Sequence, residues 1–162
     1  MPVRLTTPED EIMRQIEEDA ERWREALIMN LAVIGEKCVN HARMLQSMSR
    51  ADPRAKLPHQ PNYIDDTGNL RSSIGYVLVV DGQIVTMSSF EPIKGGTQGS
   101  KEGKSFAESL ARNHPNDIAL IVVAGRNYAE YVAARGYDVL DSSELLAQQL
   151  MNQLTTQLSQ QQ

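Results

Sequence analysis

From Ile12 onwards, apolar residues recur at Ile16, Ala20, Trp23, Leu27, Leu31, Ile34, Cys38, Ala42, Leu45 and Met48, always three or four positions apart. That spacing is close to the helical period. The opposite face carries Glu17, Glu18, Glu21, Arg22, Glu25, Glu36 and Lys37. Thr7 is placed to cap the helix, with Pro8 at its first position and acids in its first turn. The pattern predicts one amphipathic helix over 8–48, roughly 60 Å long at ~1.5 Å per residue. A chain of this size folds into a globule only about 30–35 Å across. The helix therefore bends or breaks near Asn30 or Gly35, or part of it projects and needs a partner. A kinked core helix and an oligomer contact both satisfy the pattern.

Residues 49–66 contain Pro53, Pro58 and Pro61 and form a connector, since proline suits neither helix interiors nor central strands. Asp66 or Thr67 can then cap a single helical turn with Leu70 inward. Strict alternation follows: Ile74, Tyr76, Leu78 and Val80 share one face, with Val77 and Val79 on the other. Asp81-Gly82 predicts a type I′ hairpin turn, and Gln83–Phe90 is the returning strand. Residues 91–104 are polar and glycine-rich and predict a mobile loop. A short helix over Ser105–Asn113 follows, with Phe106 and Leu110 inward.

The apolar run from Ile118 to Ala124, bounded by Pro115 and Gly125, predicts a strand buried on both faces and central to its unit. Tyr128, Tyr131 and Val132 then mark one face of a short helix ended by Gly136. Tyr137–Leu140 is a further extended piece. Asp141-Ser142-Ser143-Glu144 has the form of a capping box. It opens a last helix over 142 to about 156, with Leu146, Leu150, Leu154 and Leu158 along one side and a fraying, glutamine-rich end. The expectation is one domain over 1–162, of α+β class. It has a long N-terminal helix on a small, mostly antiparallel sheet, made of a hairpin plus two further strands, and two or three additional helices.

Composition narrows the function. Sixteen basic and 21 acidic residues give a net charge of −5, without the basic excess of a dedicated nucleic-acid binder. The single cysteine, Cys38, forbids an intrachain disulfide and reads as a small buried apolar residue. No apolar run is long enough to span a membrane, and no secretory leader is visible. The expected setting is a reducing cytoplasm.

The motifs that carry chemistry are weak. Gly103-Lys104-Ser105 ends a glycine-rich stretch, but the first glycine of a P-loop would fall at Gln98, with Gly99 one residue too near and Gly96 one too far. A mobile surface loop explains the stretch better than nucleotide binding. Cys38 and His41 lie one turn apart, yet two ligands make no zinc site. His59 and His114, and the acids Asp65, Asp66, Asp138 and Asp141, read as solvated or capping groups. No nucleophile, base and orienting group converge. The expectation is a non-enzymatic chain with no catalytic, cofactor-binding or metal-binding residue.

Two segments carry a resemblance. Thr67-Gly68-Asn69-Leu70-Arg71-Ser72-Ser73-Ile74, leading into a hairpin, resembles the T-G-N-L-R-x-S-I signature of tailed-bacteriophage head–tail joining, neck or tail-completion proteins, relatives of the minor tail protein Z type. Asn127 to Gly136 resembles that family's Y-A-x-Y-V-E-x-G segment. Here Ala133 replaces the usual Glu, Arg135 is inserted, and Tyr137 follows Gly136 where the family has Thr. The order of long helix, signature, hairpin and second segment is also similar.

The resemblance implies a structural virion protein, made in the bacterial host cytoplasm. Copies would form a homo-oligomeric ring between head and tail, beside portal-side or tail-tube proteins, with no sequence-specific nucleic acid and no membrane. An acidic lining would let DNA pass without sticking. It further implies structural roles for Gly68, Asn69, Leu70, Ile74, Tyr128, Tyr131 and Gly136. Trp23, Leu27, Gly95, Gly96, Gly99, Lys101 and Lys104 would be assembly contacts. The alternatives are a small nucleotide hydrolase using the Gly-Lys-Ser loop and a cytoplasmic adaptor that dimerises through its first helix.

Overall fold

The structure is a computed structural model and describes residues 8–45, 63–127 and 129–160. The expected Thr7 cap, residues 46–48 of the first helix, most of the proline-rich connector, His59 and Tyr128 lie outside the described residues. The protein is α+β. Helix α1 (Glu9–Met44) and the one-turn α2 (Asn69–Ser72) precede strands β1 (Ile74–Val80) and β2 (Gln83–Met87). Then come α3 (Thr97–Ala111), β3 (Ile118–Ala124), α4 (Ala129–Ala134) and α5 (Asp141–Gln160). The three strands form one antiparallel sheet in the order β2-β1-β3. One face packs on α1 and the other on α3.

The alternation in β1 explains this layering. Ile74, Tyr76 and Leu78 meet Leu31, Val39 and Ala42 of α1, while Val77 and Val79 meet Ala107 and Ala111 of α3. The central strand is therefore β1. The expectation that Ile118–Ala124 is central is corrected: β3 is an edge strand, and only Val123 is fully buried. Its unbroken apolar run reflects two covered faces, not two hydrogen-bonded neighbours. The hairpin turn is as expected, with positive φ at Asp81 (49°) and Gly82 (79°). β2 stops at Met87, three residues short. The Ser88 hydroxyl takes the Tyr76 N–H at 2.9 Å, and Phe90 turns into the left-handed region at φ 50°.

α1 is unbroken. Its 36 residues span about 54 Å at ~1.5 Å per residue. Pro8 is its N-cap and accepts the Glu11 and Ile12 amides. Neither suspected break point interrupts it. Asn30 donates back to the Ala26 carbonyl at 2.7 Å within the helix. Gly35 is where α1 meets the sheet, and a Cβ there would lie 2.6 Å from the Tyr76 ring.

Three further expectations are corrected. The mobile loop over 91–104 is helical from Thr97. Tyr137–Leu140 is not a strand: Val139 and Leu140 are consecutive and both turn into the core, whereas strand side chains alternate. Asp141 lies inside α5, and Asp138 Oδ1 accepts the Ser142 amide at 3.1 Å. α5 itself packs along α1 through Leu150, Leu154 and Leu158 against Ile34 and Cys38.

Cys38 is fully buried, and its carbonyl accepts the Ser143 hydroxyl at 3.0 Å. Burial pushes its thiol pKa up, and burial does the same to the Tyr76 phenol. Both groups are held neutral in the fold, and the unfolded chain ionises first, from about pH 8.5 for cysteine and 10 for tyrosine. Their stabilisation is complete below those values and is lost as pH rises through them. The expected outcome is a melting temperature that falls above about pH 8.5. A thiol reagent should label Cys38 only at the rate of unfolding, which mass spectrometry of pulse-labelled protein reads directly.

Candidate docking surfaces

Two regions carry the residues singled out by sequence. The first is the junction around α2. Gly68 has φ 72°, and a Cβ there would collide with the Ile93 carbonyl. It turns the chain so that Asn69–Ser72 makes one helical turn with Leu70 buried. Asn69 Oδ1 accepts the Gly99 N–H at 2.9 Å and so ties α2 to the first turns of α3. Arg71 donates from Nε to the Arg43 carbonyl at 2.9 Å at the end of α1, and its Nη1 lies 3.6 Å from the buried Asp65 carboxylate. Ser72 Oγ accepts the Ile93 N–H at 2.7 Å. Ile74, fully buried, begins β1. The T-G-N-L-R-S-S-I segment is thus a clamp on which α1, α3 and the 91–96 loop converge.

α3 reaches this clamp with Gly96, Gly99, Gly103, Ala107 and Ala111 on one face. All five are buried. A Cβ at Gly99 would lie 2.6 Å from the Asn69 carbonyl carbon and nearer its oxygen, and one at Gly103 would lie 2.7 Å from Ser73 Cα. Gly96 and Gly99 therefore face this chain's own backbone and not a neighbour. Gly95 does lie open, with φ 81°, and Lys101 and Lys104 are exposed. The helical conformation also removes the loop that phosphate cradling requires: the amides of Gly103 and Lys104 lie inside α3. The signal for this face is in the sequence, as small residues at intervals of three and four, but glycine content hid it.

Removing the Asn69 acceptor strands a part-buried Gly99 N–H. Asn69→Ala is expected to cost about 1–2 kcal/mol, measured as a shift of the urea midpoint at unchanged slope.

The second region is the outer half of α1. No residue from Glu9 to Asn30 is fully buried; the buried positions of α1 begin at Leu31. Met13, Ile16 and Trp23 are 52%, 55% and 37% exposed along one stripe, and Met29 and Val33 lie exposed on the other side. Leu27 is half-buried against the sheet. The half-helix is thus an arm, of which an Arg24–Asp81 ion pair holds the base. It carries eight acids and three arginines, as much net charge as the whole chain, −5. Trp23, Leu27, Ile118 and Leu158 line an open groove beside it, rimmed by Glu17 and Glu21.

The second signature segment is placed differently from the expectation. Tyr131 is 58% exposed, with the Arg135 guanidinium 4.5 Å from its ring centre; Val132 packs inward as expected, and Ala129 and Ala133 take the place beside it. Phe106 is likewise turned outward, at 44% exposure. Gly136 ends α4 with φ 84°, as its position implied. Among the described residues no cluster of three or more His, Cys, Asp or Glu side chains gathers, and no helix is long and apolar enough to cross a membrane. No family model, curated protein or solved structure matches this chain.

Proposed function

We propose that this chain is a structural subunit of a tailed-phage head–tail joint, a neck or tail-completion protein that acts by assembly and docking. The observation that carries the reading is the arm: an acidic half-helix whose apolar stripe, Met13, Ile16 and Trp23, is exposed among the described residues. Interface cores are built from such apolar stripes within a polar rim. Two arms of net charge −5 repel each other, which disfavours the arm-to-arm adaptor reading. The arm suits a surface of opposite charge on a neighbouring connector protein.

The clamp supports the reading in a second way. Its residues are those that resemble the family signature, and they are occupied in holding elements together rather than in forming a reaction centre.

The test uses the virus or prophage that carries the gene. With a stop codon at an early position, DNA-filled heads and complete tails should accumulate unjoined, and purified protein added to that extract should restore joined particles. Normal joined particles without the protein would overturn the reading.

A further inference from the structure

The sheet has two open edges among the described residues, one on β2 and one on β3. The β1–β2 register shifts at Leu78/Val79, a bulge that interrupts the β2 edge. β3 has seven residues without bulge, proline or charge. The register fixes which backbone groups face outward. Asp81 N–H donates to Asp117 and Gly125 N–H donates to Ser73. In the alternation of an antiparallel pair, Ala119, Ile121 and Val123 therefore bond to β1, and Ile118, Leu120, Val122 and Ala124 present theirs outward. On β2, the Ser88 N–H donates to Tyr76, so Ile84 and Met87 face outward.

Beside the β3 edge lies a largely apolar groove of about 260 Å³, walled by Phe106 and Leu110 of α3 and Val122 and Val123 of β3, and on its other side by Ala133 of α4 and Leu140. β2 offers what would fill it, since Ile84 and Val85 are 43% and 52% exposed. Ile84 pairs with Val79, whose side chain packs toward α3, so Ile84 lies on the face of the sheet where the groove opens.

We infer that copies of this chain join edge to edge, β2 of one beside β3 of the next, with Ile84 seated against Phe106. A symmetric β3–β3 contact would pair one edge, leaving β2 open and Ile84 exposed. The head-to-tail contact covers both edges. Being heterologous, it closes into a ring when the rotation between copies allows. The inference deepens the ring reading and rests on it only for closure.

Two variants test it, Ile84→Cys and Phe106→Cys, each purified separately; buried Cys38 leaves the parent protein silent. After mild oxidation, a mixture of the two should give a disulfide-linked dimer that neither variant gives by itself. No dimer in the mixture, or a dimer from Phe106→Cys by itself, overturns the inference. Native mass spectrometry of the parent protein separates this from the functional reading. Closed rings without the mixed cross-link leave the ring reading standing and remove the edge contact, whereas the mixed cross-link with only open strings of copies does the reverse.

Discussion

Gly99→Ala should lower the unfolding free energy by about 2–4 kcal/mol, although alanine is the better helix former. In an exposed helix the change would stabilise by about 1 kcal/mol. Here the added methyl falls within contact distance of the Asn69 carbonyl, which is backbone and cannot rotate away. α3 must retreat from α2, and the Asn69 to Gly99 hydrogen bond is lost with it. Gly103→Ala meets the Ser73 backbone and should behave alike. Lys101→Ala and Lys104→Ala on the exposed face should stay within about 0.5 kcal/mol of the parent. Urea titrations of the four variants decide between a packing face and a permissive loop, because the loop would leave all four near the parent value.

That contrast also shows where the sequence misleads. A glycine-rich stretch reads as conformational freedom, yet at Gly96, Gly99 and Gly103 the value of glycine lies in having no side chain. Both uses leave the same letter, and only the interval of three and four distinguishes them. The hairpin was legible because Asp81-Gly82 requires positive φ and the flanking residues alternate. β1 was legible in its two faces but not in its central place, since strand order depends on partners that periodicity does not encode.

The clamp was partly legible. Gly68, Asn69, Leu70 and Ile74 were singled out through a motif, whereas the partners of Asn69 and Arg71 lie about thirty residues away along the chain. Tyr131 points outward for a simple reason. On a six-residue helix, alanines approach the core more closely than a ring can, so Ala129 and Ala133 took the inner face. The length of α1 was legible, and so was the choice it forced between bending and projecting. The helix runs on through Gly35, which seats it on Tyr76.

Trp23→Ala should separate folding from docking. Trp23 sits on the arm, 37% exposed beside Leu27 and Leu158, so its truncation should lower the melting temperature only modestly. If the arm docks on a neighbouring connector, the same truncation removes an aromatic anchor of the kind that costs about 2 kcal/mol or more at an interface. That corresponds to roughly 30-fold in affinity. In an extract of unjoined heads and tails, the concentration of added protein giving half-maximal joining should rise by about that factor. The arm's charge sets a second expectation: added salt should weaken joining by the parent protein, because an acidic helix on a basic surface is screened within about 10 Å at 0.1 M. Unchanged joining by Trp23→Ala, with the same salt response as the parent, would mean that the stripe is bare solvated helix and that docking uses another surface. Met13 and Ile16 extend the same stripe toward the tip, so Ile16→Ser should weaken joining in the same direction. The melting temperature should stay put, because Ile16 is 55% exposed and no residue of the outer half of α1 before Leu31 is fully buried.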